Sequence, residues 1–83
     1  MVFFEQDGCS YNLNNASSFL VQPYTADQYE LCAEMSNKSL VLASFPTRST
    51  ANLAKSRLME IIAEVTYMEM NRSDVTALGV LKC

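Results

Sequence analysis

One amphipathic stretch, from Pro46 to Val65, constrains the fold more than any other part of this chain. Residues three or four apart lie on one face of an α-helix, so the stretch predicts a helix over residues 47–65 with a single apolar stripe. Thr47 has the hydroxyl that an N-cap needs. A stripe of this kind needs a surface to cover, and the residues before it predict a sheet. The stripe consists of Ala51, Ala54, Leu58, Ile61, Ile62 and Val65.

The start of the chain predicts a β-hairpin. Asp7-Gly8 stands between two short runs of alternating side chains. Asp-Gly is a strong hairpin signal because a two-residue type I′ turn needs a positive φ at both positions. The predicted register sets Phe4 opposite Tyr11 and Gln6 opposite Cys9.

Three more strands are predicted before the helix. Residues 17–22 alternate, and Pro23 either ends that strand or confines it to an edge, because proline has no N–H for the ladder. Residues 24–28 are predicted to be a polar connection. Residues 29–35 form a half-buried strand that pairs with residues 40–45, and this second hairpin is the centre of the sheet.

The residues after the helix are less regular. Residues 66–70 predict a short strand or extended segment, and residues 71–83 form a tail in which Val75–Leu81 fits either an extra strand or a short helix. The predicted fold class is α+β, with an antiparallel sheet of about five strands and one long α-helix packed on one face. The whole chain, residues 1–83, is expected to be one domain with its sheet in residues 2–45.

Composition limits the classes of partner and location. The chain has 83 residues, with Lys+Arg 6 against Asp+Glu 9 and a net charge of -3. This acidic balance argues against direct binding to nucleic acid or to an anionic membrane. No signal peptide or membrane span is predicted, so a cytoplasmic location is expected. Cys9, Cys32 and Cys83 are odd in number and widely spaced, which predicts reduced thiols.

The sequence offers no set of catalytic residues. It contains no histidine, which removes the usual general base and metal ligand. Glu30 and Glu34 share a strand face, but their Cα atoms are separated by roughly 13 Å, too far for a carboxylate pair that shares one reaction. We therefore expect a protein that is not an enzyme, with no cofactor and no metal.

Charged side chains are the candidates for binding a partner. The helix carries its basic residues in the amino-terminal half and its acidic residues near the carboxyl end, against the helix dipole. This order suggests that its exposed side is not shaped for stability alone. The candidate partner-binding residues are Glu30, Glu34, Arg48, Lys55, Arg57, Glu60 and Glu64.

Four short motifs stand out along the chain: Gln6-Asp7-Gly8, Tyr11–Asn15, the strand Leu40–Phe45, and Tyr67–Met70 after the helix. Together they resemble the motifs of small uncharacterised bacterial and prophage proteins built from two β-hairpins and a helix. The similarity covers residues 3–70. This chain departs from the pattern at Asn14, where an acidic residue is more usual, and its tail after Arg72 has no counterpart. That family has no established activity to carry over to this chain.

Three functional hypotheses follow. The first is a non-catalytic protein-binding protein of phage or viral type that inhibits a host protein complex in the host cytoplasm, as anti-CRISPR and anti-defence proteins do. The second is a self-associating structural or accessory protein, in which sheet edges or residues 75–81 form a homodimer. The third is an acidic mimic of nucleic acid that uses Glu30, Glu34, Glu60 and Glu64.

Overall fold

The computed structural model describes residues 1–80 and shows an α+β fold. The last three residues, with Cys83 and the end of the predicted tail, lie outside the described part. A one-turn 3-10 helix, Leu13–Asn15, follows the second strand. The other elements, in chain order, are β1 (Val2–Gln6), β2 (Cys9–Asn12), β3 (Ser18–Thr25), β4 (Gln28–Glu34), β5 (Ser39–Phe45), α1 (Arg48–Glu64), β6 (Met68–Met70) and α2 (Arg72–Leu78).

The strands form two sheets of three, so the prediction of one sheet of about five strands is wrong. The N-terminal sheet has the order β2-β1-β6, and the central sheet has the order β3-β4-β5. β6 lies parallel to β1, with Val2 opposite Met68. The separation begins after β2, where the Asn12 side chain accepts from the Asn14 N–H at 3.0 Å and caps the 3-10 helix. The Asn14 side chain accepts from the Val2 N–H at 2.9 Å, which holds the turn against β1, and the next strand of the chain, β3, lies in the central sheet.

The predicted first hairpin is confirmed. Asp7 and Gly8 have φ values of 52° and 80°, as a type I′ turn requires. Phe4 lies opposite Tyr11, as the sequence predicts. Phe4 and Val2 are fully buried, and they anchor the N-terminal sheet in the core.

β3 is longer than predicted. It continues through Pro23 to Thr25 and turns into β4 over Ala26-Asp27, so the prediction of a polar connection over residues 24–28 is wrong. The pairing of β3 with β4 shifts register between Pro23 and Thr25. β3 is an edge strand, which is one of the two places that the sequence allows for Pro23.

The amphipathic helix is confirmed in place and orientation. The Thr47 hydroxyl accepts from the Thr50 N–H at 3.1 Å and caps α1. Ala51, Ala54 and Leu58 are fully buried, and α1 contacts all three strands of the central sheet. The remaining residues of the stripe, Ile61, Ile62 and Val65, are half-buried.

A second helix, α2, corrects the prediction of a single helix and resolves the open choice for the tail. The Asn71 side chain accepts from the Asp74 N–H at 3.1 Å, and the Asp74 carboxylate accepts from the Asn71 N–H at 2.9 Å. This reciprocal capping box starts the helix. Val75 is fully buried, and α2 packs against α1 and β5. Within residues 1–80, neither helix is long and apolar enough to cross a membrane.

Candidate protein-binding site

The central sheet has two faces of different character. Its inner face, which includes Leu31 and Ala33 of β4, belongs to the buried core together with Leu58 of α1. The opposite face is called the outer face here, and the register of the three strands places nine residues on it. They are Ser18, Leu20 and Gln22 of β3, Glu30, Cys32 and Glu34 of β4, and Ser39, Val41 and Ser44 of β5.

The middle row of the outer face is apolar. Leu20 and Val41 lie opposite Cys32 from the two neighbouring strands, and all three stand outside the core cluster that contains the helix residues. Cys32 is nevertheless fully buried, and Leu20 and Val41 are half-buried. The middle of β4 is therefore buried on both faces, which corrects the expectation of a half-buried strand.

A carboxylate lies on each side of this apolar row. The Gln22 side-chain amide donates to Oε1 of Glu30 at 3.4 Å, and the Ser39 hydroxyl donates to Oε1 of Glu34 at 2.7 Å. Both glutamates are half-buried, so part of each carboxylate remains open to a partner. Four residues of strand separate them, which places their Cα atoms roughly 13 Å apart. The hydrogen bonds hold two acceptor groups at a fixed spacing.

The electrostatics of the row favour an uncharged thiol. Burial raises the pKa of the Cys32 thiol, and the negative charges of Glu30 and Glu34 raise it further. A thiol with a raised pKa stays protonated at neutral pH and is a poor nucleophile. Cys32 therefore packs as an apolar side chain between Leu20 and Val41 and is not a reactive group.

Two of the predicted basic residues are engaged within the chain. The Arg48 guanidinium lies over the Tyr29 ring at 4.9 Å from its centroid. Arg57 donates from Nη1 to the Leu78 carbonyl at 2.9 Å and to the Val80 carbonyl at 3.0 Å. Arg57 thus ties the end of α2 to α1.

The other predicted residues on α1 lie away from the outer face. Glu60 and Glu64 are exposed, and Lys55 is half-buried. Because α1 covers the inner face, its exposed side points in the opposite direction from the outer face. The structure therefore brings together Glu30 and Glu34 and leaves the helix residues apart from them. The four glutamates of the mimic hypothesis form two separate groups.

Sequence reasoning missed the apolar row itself. The alternation in β3 already assigns Leu20 and Gln22 to the face opposite Phe19, so half of the signal is present. The burial of Cys32 is not readable from the sequence, because it depends on side chains from both neighbouring strands.

Two other features of the surface bring aromatic or acidic side chains together. Phe3 and Tyr67 pack on the N-terminal sheet with ring centroids 5.8 Å apart, and Tyr67 is 62% exposed. A shallow cleft beside α2 is lined by acidic residues that include Glu5 and Asp74, but the Asp74 carboxylate is already bonded in the capping box. Among residues 1–80, no group of three or more His, Cys, Asp or Glu side chains could hold a metal ion.

Comparison of the chain with protein-family models, with curated proteins and with solved structures finds no match in any of the three.

Proposed function

We propose that the protein is a non-catalytic binding module that recognises a second protein through the outer face of the central sheet. The observation that supports this proposal is the apolar row of Leu20, Cys32 and Val41 with a hydrogen-bonded carboxylate on each side. An apolar centre inside a polar rim is the usual arrangement of protein interfaces. The centre excludes water, and the rim fixes the orientation of the partner.

The chemistry of the rim indicates the kind of partner. Carboxylates accept hydrogen bonds from lysine and arginine, and such charge-assisted bonds are stronger than neutral ones. A partner that suits Glu30 and Glu34 carries two cationic side chains about 13 Å apart with an apolar side chain between them. An extended segment with basic residues at positions i and i+4 has this spacing. The net charge of -3 also favours approach of a basic surface.

We extend the proposal to inhibition of a host protein complex in the cytoplasm. Covering a basic surface that such a complex uses would block its normal contacts, which is how an anti-defence or anti-CRISPR protein could act. This part of the proposal rests on the resemblance of the short motifs to prophage proteins and on the acidic balance of the chain.

The experiment compares two variants that remove the same charge from different faces. The bound protein is first captured from host lysate with the wild-type chain and identified by mass spectrometry. Its affinity is then measured by calorimetry for the wild type, for Glu30→Gln with Glu34→Gln, and for Glu60→Gln with Glu64→Gln as the matched control. We expect the outer-face variant to weaken binding by about tenfold or more and the helix variant by less than about twofold.

The salt dependence provides a second readout. The affinity of the wild type should fall as ionic strength rises, and the outer-face variant should lose most of that dependence. Equal weakening by both variants would indicate a response to net charge and would contradict the proposal. Weakening by the helix variant alone would move the site to α1. Circular dichroism of each variant shows whether it is folded.

A further inference from the structure

The longest strand of the described fold lies at an edge. β3 has eight residues and pairs only with β4. The other edge strands of the two sheets are shorter: β2 has four residues, β5 has seven and β6 has three. The free edge of β3 is therefore the longest row of unpaired backbone groups in the two sheets.

The pairing of β4 shows which groups of β3 are free. Met35 donates its N–H to the Lys38 carbonyl, at the turn toward β5, at 2.9 Å. The backbone N–H and C=O groups of successive residues point to opposite sides of a strand. Those of Met35 point toward β5, so those of Glu34, Cys32 and Glu30 point toward β3. The bond from the Ser17 N–H to the Glu34 carbonyl at 2.8 Å agrees with this direction.

The alternation continues on β3. On β3, the backbone N–H and C=O groups that bond to β4 belong to Ser18, Leu20 and Gln22. These residues lie opposite Glu34, Cys32 and Glu30, respectively. The N–H and C=O groups of Phe19 and Val21 therefore point away from the sheet. Pro23 is also on this outward side, where its missing N–H costs no ladder bond.

The edge has little protection against pairing with another strand. Natural proteins shield long edges with charged side chains, especially lysine, and with proline or bulges. The sequence has no charged residue from Gly8 to Ala26. Pro23 and the register shift beside it protect one end of β3 and leave Phe19 and Val21 accessible.

We propose that two copies of this chain pair through antiparallel β3 edges, with the two-fold axis at Leu20. Phe19 of one copy then lies opposite Val21 of the other, and each pair exchanges N–H and C=O bonds. Leu20 faces its own counterpart, so the apolar rows of the two outer faces become continuous. Ser18 lies opposite Gln22 of the second copy. This inference does not depend on the recognition role proposed for the outer face.

The distribution of charge permits a second copy as the occupant. Each chain carries a net charge of -3, so a copy is accepted only where acidic groups stay apart. In the proposed register, Glu30 of one chain and Glu34 of the other are separated by three strand spacings, about 14 Å. This exceeds the screening length of about 8 Å at physiological ionic strength. A basic peptide would find no carboxylate on β3 itself.

Hydrogen exchange measured over a concentration series up to the millimolar range tests the pairing at single residues. In the dimer, the amides of Phe19 and Val21 become protected, whereas those of Leu20 and Gln22 are protected at all concentrations because they bond to β4. Light scattering of the same samples should show the mass rise twofold from 9.3 kDa. A constant monomer mass, or fast exchange of Phe19 and Val21 at every concentration, would overturn the proposal.

Two matched variants separate the edge from the face. Leu20→Lys places two lysines opposite each other at the axis, and we expect it to raise the dimer dissociation constant by at least about tenfold. Val41→Lys makes the same change on the other side of Cys32, on β5, and should leave the dissociation constant within about twofold. An intact dimer in Leu20→Lys, or equal loss in both variants, would overturn pairing through β3. Circular dichroism confirms that each variant is folded.

Discussion

The two faces of the central sheet are built from the same strands but are closed in different ways. On the inner face, Leu31 and Ala33 are fully buried in the same core cluster as the helix residue Leu58. On the outer face, Cys32 is equally buried, although the side chains beside it come from the sheet itself. Burial therefore has two sources in this small fold, a covering helix and neighbouring strands.

The inner and outer faces of the central sheet therefore contribute differently to stability and to recognition. A face covered by a helix contributes apolar burial to the folded state and offers nothing to a partner. A face covered only by its own side chains keeps polar and apolar atoms within reach, as Glu30, Leu20 and Glu34 do here. Substitutions on the inner face should therefore mainly change stability, whereas substitutions on the outer face should mainly change partner binding.

The largest expected effect is on the inner face. Leu58→Ala removes a fully buried side chain, so we expect it to lower the free energy of unfolding by about 2–5 kcal/mol. Leu20→Ala on the outer face removes a half-buried side chain and should cost about 1 kcal/mol or less. Urea unfolding of both variants measures the difference. Equal losses would show that the two faces do not differ in this way.

A smaller effect is expected where α2 ends against the inner face. A Cβ at Gly79 would lie 2.6 Å from Cε2 of Phe45 and 2.9 Å from the Thr50 carbonyl oxygen. Because backbone and a packed ring must both move, Gly79→Ala should lower the free energy of unfolding by about 1–3 kcal/mol. The control is Ala77→Ser at an exposed position of α2, with an expected change within about 0.5 kcal/mol. An unchanged unfolding midpoint for Gly79→Ala would contradict the close contact.

The smallest effect belongs to the outer face and depends on pH. Burial and the charges of Glu30 and Glu34 raise the pKa of the Cys32 thiol in the folded state. The unfolded thiol ionises first, near pH 8.5, so this contribution to stability is complete below about pH 8 and is lost as the pH rises through the folded pKa. Relative to Cys32→Ala, the wild type should therefore lose stability in alkaline solution.

Glutamine at positions 30 and 34 tests the cause of that loss. Removing both negative charges lowers the pKa of the folded thiol. The loss of stability at alkaline pH, measured relative to the same glutamine variant that also carries Cys32→Ala, should therefore become smaller. Thermal unfolding between neutral and alkaline pH measures both differences. Parallel profiles for the wild type and Cys32→Ala would show that Cys32 does not titrate differently in the two states.

Local signals in the sequence predicted local structure well. The Asp7-Gly8 turn, the register of the first hairpin and the buried stripe of α1 depend on residues close together in the chain. The parallel pairing of β1 with β6 could not be predicted in this way, because it joins segments that are distant in the chain and leaves no local pattern. α2 had a readable signal, since Asn71 and Asp74 have the spacing of a capping box, although the apolar run after them fits a strand as well as a short helix.

The candidate site was predictable in part for the same reason. The shared face of Glu30 and Glu34 follows from alternation within one strand, whereas Leu20 and Val41 join them only through pairing with two other strands. The charges of α1 gave no such guidance, because Arg57 bonds to carbonyls that the sequence does not place near it.

The parallel pair β1-β6 also has a consequence for how the chain folds. The central sheet is connected by short turns and can assemble from neighbouring segments, whereas β1 gains its second neighbour only after α1 has returned the chain to it. Closing this loop encloses the central sheet and α1. Folding of these two elements shortens the loop and lowers the entropic cost of joining β1 to β6, which couples distant segments of the chain.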